Sequence, residues 1–370
     1  MLDPIVNFFT RMFYWIGRGI GFAIGVLLWP FMWLGRWYWQ RGWMLKSILG
    51  VIVAGIVGLY AYFIWNTQVW SGFNTDYVAN YTFDNVSAGE QQSLAADGTR
   101  RCARSAIADV TADLVDFNVN ENAWISSMIL YKLGFFGIPW DNTPFLDNKA
   151  SFQRGVHEAV RRTTTELADN LGRVRTTSQI DSNLQSARGN AQFDEYTWYF
   201  GFNPFGPKTP TPSYYRSIVK DLRTFNDRLE RCEAVFDARA DNLIQYLDRI
   251  ASALGDTSAI LRERSENYNN GWFDVRADDR FWFAFGQLYG YYGLLKAAQV
   301  DFEKVLAERN LNALWDTMEQ QAHSALRIQP FIIANGREDG WITPTHLATM
   351  GFYILRVRSN LVEISNVLAR

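Results

Sequence analysis

Carboxylates beside aromatic side chains are the residues in this sequence best suited to chemistry. Asp194 and Glu195 directly precede the aromatic run at 196–200, and Asp141 and Asp147 flank an aromatic turn. Glycan hydrolysis needs such a pair, because one carboxyl group protonates the leaving group while the other acts as base or nucleophile. Asp194, Glu195 and Asp141 are therefore the catalytic candidates. The competing interpretation, which we favour, is a packed loop in which these carboxylates accept backbone or arginine hydrogen bonds.

Other catalytic signatures are missing from the sequence. It has no glycine-rich loop for phosphates or dinucleotides and no serine nucleophile elbow. His157, His323 and His346 lie far apart and lack the spacing of metal ligands, which favours helix-surface or core positions for all three. The sequence thus predicts no cofactor and no metal site, and it favours an interaction protein over an enzyme.

An uncharged stretch of the sequence indicates where the protein is located. Residues 47–65 pass without a charge, and a helix needs roughly 20 residues to cross the hydrocarbon core of a bilayer. Lys46 closes the stretch on one side, and Trp65 with Trp70 closes it on the other, as residues at a membrane interface do. We therefore predict a transmembrane helix over residues 47–66, since a buried helix of a soluble core would normally show a polar face.

The distribution of charge gives this helix an orientation. Five basic residues and one acidic residue precede it, and because the whole chain carries −2, residues 66–370 carry −6. Basic residues beside a span stay in the cytoplasm, so we predict a bacterial inner-membrane protein with its main domain in the periplasm. The span begins too late for the core of a signal peptide, which indicates an uncleaved anchor. An acidic domain without a basic stripe argues against nucleic acid as a partner.

Residues 1–46 are interpreted as a Trp-rich amphipathic or re-entrant membrane segment. They hold six of the fifteen tryptophans, and tryptophan prefers the headgroup layer. Residues 19–35 are uncharged, but they number only seventeen and include a proline. A short span, a re-entrant segment and an interfacial helix all fit them. We favour the last two, because a short span would place Arg11 and Arg18 outside the cytoplasm.

Small residues spaced by four form two ladders in this N-terminal region. They are Gly17, Gly21 and Gly25 in the first, and Gly50, Ala54 and Gly58 in the second. Such spacing lets a second helix approach closely. Chance explains the ladders equally well, since glycine is common in membrane helices. If they are used, they pack the segment on itself, on a copy of the chain or on a partner subunit.

The remainder of the chain has helical periodicity. Residues 67–100 are polar and weakly periodic, and we predict a linker there with one short strand near 81–83. Residues 101–370 form the periplasmic helical domain. Its strongest pattern is an apolar stripe over residues 218–254, interrupted around Arg239, which is typical of a long helix. The predicted fold is all-α, with an N-terminal membrane anchor followed by a long-helix bundle domain.

Cys102 and Cys232 are the two cysteines of the chain, and both lie in the predicted exported part. Two thiols outside the cytoplasm suffice for one disulfide. Two unpaired buried cysteines, which behave as small apolar residues, are the alternative. A disulfide between Cys102 and Cys232 therefore stands as a prediction.

Three stretches together resemble a known family. They are residues 140–155, which read WDNTPFLDNKASFQRG; residues 192–201, which contain QFDE and WYFG; and residues 330–353, which begin with PFI and pass through HLA to GFY. They are similar to a proteobacterial family of membrane-anchored proteins filed as domain of unknown function 2333, and the similarity runs through most of the chain. This resemblance implies a bacterial inner-membrane protein with an exported domain, and it implies no activity.

The functional interpretation is a scaffold or accessory subunit of a cell-envelope complex. Its expected partners are membrane lipid and either other envelope proteins or further copies of the chain. A carboxylate-dependent peptidoglycan hydrolase centred on Asp194 and Glu195 is one alternative. A lipid-binding envelope protein is another, because helical bundles rich in Phe and Tyr can enclose apolar ligands.

Overall fold

The computed structural model describes residues 3–83, 86–92, 100–143, 145–174 and 179–370. These residues form twelve α-helices and one two-stranded hairpin, which confirms the predicted all-α fold with an apolar N-terminal anchor. The helices are α1 (Asp3–Trp39), α2 (Trp43–Gln68), α3 (Ala106–Asp116), α4 (Ile129–Leu133), α5 (Asn148–Glu166), α6 (Ser182–Ala191), α7 (Thr211–Glu230), α8 (Ala240–Asn267), α9 (Ala277–Asp301), α10 (Glu303–Glu308), α11 (Asn312–Leu326) and α12 (His346–Leu368). Strands β1 (Phe200–Phe202) and β2 (Phe205–Pro207) pair antiparallel. The chain divides into two compact units, Met1–Tyr62 and Phe63–Arg370.

The first unit consists of α1 and most of α2. Both helices are long and apolar enough to cross a membrane, over Asn7–Trp39 and Trp43–Gln68. Helix α1 continues without a break through residues 19–35, although it contains Pro30. Among the described residues, no atom outside the local helix backbone lies within 4 Å of where a Cβ would sit on Gly17, Gly21, Gly25 or Gly58, and only the hydroxyl of Tyr38 does so at Gly50. Both ladders are thus largely open to a further helix.

The second unit, which we call the helical domain, begins inside α2. Phe63 and Thr67, in the last turns of that helix, are buried. The Lys149 ammonium group donates hydrogen bonds to the carbonyl oxygens of Asn66 (2.9 Å) and Val69 (2.6 Å). The helical domain therefore includes the end of the predicted transmembrane helix.

The first part of the predicted linker, residues 67–100, also belongs to the helical domain. Trp70 and Phe73 pack on Phe152, with ring centroids 5.1 and 5.6 Å apart, because aromatic side chains in an otherwise polar segment gain by burial. Residues 81–83, where we expected a strand, have no regular structure. Residues 84–85 and 93–99 of the linker lie outside the described residues.

Helix α9 lies at the centre of the helical domain and packs against α3, α5, α8, α11 and α12. Most of its residues are buried, as expected for a helix whose apolar side chains extend around its whole circumference. Its closest neighbour is α5. A Cβ at Gly286 would lie 2.1 Å from the Phe152 carbonyl oxygen, and one at Gly155 would lie 2.1 Å from the Phe283 carbonyl oxygen. Only glycine permits this approach of the two backbones.

The directions of these helices bring specific termini together. Contacts of Ser151 with Asp279 and of Ala159 with Gly290 show that α5 and α9 run parallel. Helix α8 runs antiparallel to α9, since Arg264 near its end contacts Asp274 just before α9. Helix α12 in turn runs antiparallel to α8. The starts of α5, α9 and α12 and the end of α8 therefore meet beside Phe63–Gln68. We call this the α2 end and the opposite end the far end.

The long stripe over residues 218–254 is divided between two helices. Helix α7 ends at Glu230, and α8 begins at Ala240. Cys232, in the connection, has a φ of 60° and so cannot continue a right-handed helix. The apolar rhythm resumes after the break because both helices bury a face in the same core.

Candidate functional site

A cluster of carboxylates lies at the α2 end of the helical domain. Asp141, Asp147 and Asp279 each place a carboxylate oxygen within 4.8 Å of the others. Asp141 lies in a single 3₁₀ turn, Asp147 immediately precedes α5, and Asp279 lies in the first turn of α9. Because α5 and α9 run parallel, their amino-terminal ends meet, and the helix dipoles favour negative charge there.

The members of this cluster are unusually short of hydrogen-bond donors. Asp147 is 0% exposed, and neither of its carboxylate oxygens has a partner among the described residues. Asp279 accepts a hydrogen bond from the Ser151 hydroxyl (2.9 Å) with one oxygen only. Asp278, next to the cluster, also has one buried oxygen without a partner. Two ionised carboxylates in such a place repel each other, whereas one shared proton gives them a hydrogen bond.

Burial raises the pKa of Asp147 well above its ordinary value, and the negative charges of Asp279 and Asp278 raise it further. Burial likewise raises the pKa values of Asp278 and Asp279. The carboxyl groups of Asp147 and Asp279 are close enough for a proton to be shared between them, whereas no N–H or O–H group of the described residues donates to Asp147. Burial and mutual repulsion therefore favour the protonated form of the cluster.

Arginines and a tyrosine border the cluster. The Arg276 guanidinium lies 3.5 Å from a carboxylate oxygen of Asp141 and 3.7 Å from one of Asp279. The Tyr131 hydroxyl donates to Asp141 at 3.1 Å. Arg154 donates to the Ser151 hydroxyl (2.9 Å) and the Tyr196 hydroxyl (2.8 Å). Positive charge thus reaches Asp141 and Asp279, whereas no basic side chain in the described part of the chain donates a hydrogen bond to Asp147.

A cavity of about 230 Å³ adjoins the cluster, and two of the three catalytic candidates line it. Asp141 and Glu195 face it together with Asp279, Arg154 and Arg276. Burial raises the pKa of Glu195, while the charge of Arg154 lowers it. The cavity is smaller than most ligand pockets, which span roughly 300–1,000 Å³.

Asp194, the third candidate, is not among the lining residues of that cavity. Its carboxylate accepts hydrogen bonds from the Tyr196 amide (3.2 Å) and the Thr197 hydroxyl (2.7 Å). These are the local bonds by which an aspartate stabilises a turn. The structure therefore brings Asp141 and Glu195 to one cavity and leaves Asp194 in a structural position.

The chemistry open to the cluster is that of hard oxygen ligands and proton exchange. Carboxylate oxygens are the ligands that Mg²⁺ and Ca²⁺ prefer in proteins, so Asp141, Asp147 and Asp279 are the residues that could hold such an ion. The alternative is a proton shared between Asp147 and Asp279, with Asp141 held by Arg276 and Tyr131. The sequence interpretation assigned no metal ligand to any of them.

The three histidines make structural contacts. His157 is buried, its Nε2 lies 3.0 Å from the Ala191 carbonyl oxygen, and burial lowers its pKa to about 3. His346 accepts a hydrogen bond from the Ala334 amide at 2.9 Å. His323 contacts Asp76 at 2.6 Å near the protein surface. Each of the three therefore has a protein partner.

Cys102 and Cys232 are joined in a disulfide at the far end, with their Cα atoms 5.3 Å apart. Beside them, the Arg104 guanidinium pairs with Asp109, Asp227 and Glu230 at 2.8–3.1 Å. The disulfide and these ion pairs connect the start of α3 to the end of α7.

Comparison with known proteins identifies the helical domain. A family model described as an uncharacterized protein conserved in bacteria, DUF2333, matches residues 115–270 and 262–370. The chain belongs to this family. The resemblance read from residues 140–155, 192–201 and 330–353 is thereby confirmed. The chain matches no curated protein and no solved structure.

The DUF2333 match contains the whole carboxylate cluster and its cavity, and it leaves out α1 and α2. Sequence reasoning reached Asp141 through its aromatic neighbours but missed the role of Asp147 and Asp279. The available signal was an acidic pair, Asp278–Asp279, in the first turn of an otherwise apolar helix. Its meeting with Asp147, more than a hundred residues away in the sequence, required the packing of α5 on α9.

Proposed function

We propose that this chain is a scaffold or accessory subunit of a complex in the bacterial cell envelope. In this proposal it is anchored in the inner membrane, with its helical domain in the periplasm. The observation that carries the proposal is that the helical domain begins inside α2, where Phe63 and Thr67 are buried. No loop of chain separates this domain from the apolar helix, which suits a subunit that works at the membrane. An enzyme that works along an extended polymer gains more from a flexible tether.

The basic residues around the turn between α1 and α2 support the orientation. Arg36, Arg41 and Lys46 lie within a few residues of that turn, and basic residues close to a span stay in the cytoplasm. The end of α2 then lies outside the cytoplasm, whether or not α1 also crosses. The Cys102–Cys232 disulfide suits the oxidising conditions of that compartment.

An outward-facing stripe on α12 supports a protein partner. Phe352, Leu355 and Val362 are 55%, 49% and 38% exposed, and their spacing places them on one side of the helix. Apolar residues gathered on one helix face suit the packing of another envelope protein or of a second copy of the chain.

The test is purification of the full chain from native membranes in mild detergent, with size analysis and mass spectrometry of what accompanies it. A stoichiometric partner or a discrete homo-oligomer supports the proposal. A lone monomer overturns it. If the second ladder packs on a further helix, Gly58→Ile should weaken the association, whereas Ile56→Phe, which adds bulk on the opposite face of α2, should leave it intact.

A peptidoglycan hydrolase is the second candidate, because Asp141 and Glu195 line one cavity and burial raises the pKa of Glu195. The small volume of this cavity favours a closed structural site instead. The contacts of Asp141 with Arg276 and Tyr131 favour it as well. We therefore expect the purified full chain to leave cell walls intact in zymography. Clearing that Glu195→Gln abolishes would restore the enzyme interpretation.

A further inference from the structure

Three loops at the α2 end expose large apolar side chains to an unusual degree. We call residues 133–138, 269–273 and 331–342 together the apolar rim. Phe273, Phe331, Trp341 and Ile342 are 85%, 89%, 100% and 90% exposed. Scattered single apolar residues are normal on a protein surface, whereas a gathered set indicates a binding surface.

Specific contacts hold the three loops at the same end. Gly271 and Asn335 exchange two backbone hydrogen bonds of 2.9 and 3.1 Å, which join the second loop to the third. The Asn335 side chain also donates to the Arg264 and Tyr268 carbonyl oxygens near the end of α8. The Gly336 amide donates to the Pro344 carbonyl oxygen, so Trp341 and Ile342 lie in a closed, projecting loop.

Further contacts connect the apolar rim to the last turns of α2. Gln68 donates a side-chain hydrogen bond to the Phe145 carbonyl oxygen (2.9 Å), and the Phe145 ring lies 6.0 Å from that of Phe331. Phe63 packs on Trp140 at 4.8 Å, and Trp140 packs on Phe135 of the first loop at 5.9 Å. The rim therefore lies beside Phe63–Gln68.

Residues 63–65 also complete the uncharged stretch of the apolar helix. Trp65, 66% exposed, is the kind of residue that marks the boundary between lipid and water. A helix that spans the bilayer up to Trp65 must bring the surface beside Phe63–Gln68 close to the headgroup layer. The position of the rim beside the end of α2 therefore indicates the bilayer as the surface that covers it.

We propose that the apolar rim docks into the surface of the same bilayer that α2 enters. This rests on the anchoring part of the proposed function. The charges of the three loops are Arg337, Glu338 and Asp339, a net −1, and Arg337 is paired with Asp339 at 3.0 Å. Attraction to anionic lipid is therefore not the source of binding. The rim inserts by burial of aromatic and aliphatic side chains, which salt affects little.

The experiment places single cysteines in the full chain by Ile342→Cys or Phe273→Cys, labels them with a fluorophore and reconstitutes the protein in phosphatidylcholine vesicles. The vesicles carry nitroxide groups near the top of the acyl chains. The control is Val235→Cys, an exposed apolar position at the far end. The unsubstituted chain, whose two cysteines are paired, gives the labelling background.

We expect at least twofold quenching at positions 342 and 273, unchanged in high salt, and none at 235. Equal quenching at all three positions overturns the proposal. So does quenching that disappears on dilution of the protein in lipid, since a second copy would then cover the rim. Trp341→Ser with Ile342→Ser should reduce the quenching at 273 without unfolding the protein, because both side chains are exposed. These readouts do not depend on partner capture, so failure here and failure of the scaffold proposal are distinguishable.

Discussion

Two aspartates at opposite ends of the helical domain are both 0% exposed but have opposite surroundings. At the far end, Asp301 accepts hydrogen bonds from the Ser105 hydroxyl (2.7 Å) and the backbone amides of Ala106 (2.7 Å) and Ile107 (3.0 Å). At the α2 end, neither carboxylate oxygen of Asp147 has a partner among the described residues. The first caps a helix, and the second lies among other acids.

The difference shows that burial alone does not determine what a carboxylate contributes. Burial raises the pKa of Asp301 to about 7, while its hydrogen bonds from the start of α3 act to lower it. For Asp147, burial and the neighbouring acids act in the same direction. The far end thus supplies its buried carboxylate with hydrogen-bond donors, whereas the α2 end leaves Asp147 without a donor among the described residues.

Loss of the disulfide should have the largest effect on the far end. Cys102→Ala with Cys232→Ala releases a loop closed over a sequence separation of 130, and we expect the free energy of unfolding to fall by about 4 kcal/mol. Thermal unfolding followed by circular dichroism measures the change. Reductant should lower the stability of the native chain but not that of the double variant. Two free thiols in the untreated chain would contradict the disulfide.

Asp301→Asn should have the next largest effect. The amide replaces one acceptor oxygen with a donor that faces the amide groups of α3, and we expect a loss of about 3 kcal/mol. The same thermal unfolding measures it. An unchanged midpoint would show that the helix start finds other partners.

Asp147→Asn should have the opposite sign, a gain of about 2 kcal/mol near neutral pH, because it removes an acid that the fold must keep protonated. Since the folded pKa is raised, the unfolded chain releases a proton that the folded chain retains. Stability from this site is therefore complete below the ordinary pKa near 3.8 and decreases as the pH rises above it. The variant should show a flatter stability profile between pH 5 and pH 8, measured against the native chain. A destabilised Asp147→Asn would overturn the comparison.

Divalent cations should have the smallest effect. Arg276 and a shared proton already supply positive charge to the cluster, so we expect no shift of the unfolding midpoint with Mg²⁺, Ca²⁺ or Mn²⁺ at pH 7. A rise in the midpoint that Asp147→Asn abolishes would instead show that Asp141, Asp147 and Asp279 bind a metal ion.

Much of the fold could be predicted from local patterns. Uncharged residues 47–65 indicated the anchor helix, and apolar periodicity indicated the all-α class, because both depend on side chains close in sequence. The stripe over residues 218–254 was wrongly interpreted as one long helix. Apolar residues that face the core have the same spacing in one helix as in two consecutive helices. From the sequence we expected the helical domain to begin at residue 101, whereas in the structure it begins at Phe63. The aromatic residues of the polar segment between them have no periodicity that would have indicated their burial.

The candidate site was less accessible to sequence reasoning. Asp141 and Glu195 share a cavity only because α9 contributes Asp279, Arg280 and Phe283 to its wall. Asp194 looked equivalent to Glu195 by type and position. In the structure, however, the Asp194 carboxylate accepts hydrogen bonds from Tyr196 and Thr197 of its own turn. Which of two neighbouring acids faces a cavity depends on tertiary packing, and the sequence carries no local signal for it.

The Cys102–Cys232 bond has a consequence for biosynthesis. The chain is synthesised from its amino terminus, so Cys102 is made before Cys232. At typical synthesis rates a sequence separation of 130 corresponds to a delay on the order of 10 s. During that interval Cys102 is a lone thiol, open to mixed disulfides with other chains. The disulfide can therefore form only after synthesis has passed Cys232, and the Cys102 thiol has to stay unmodified until then.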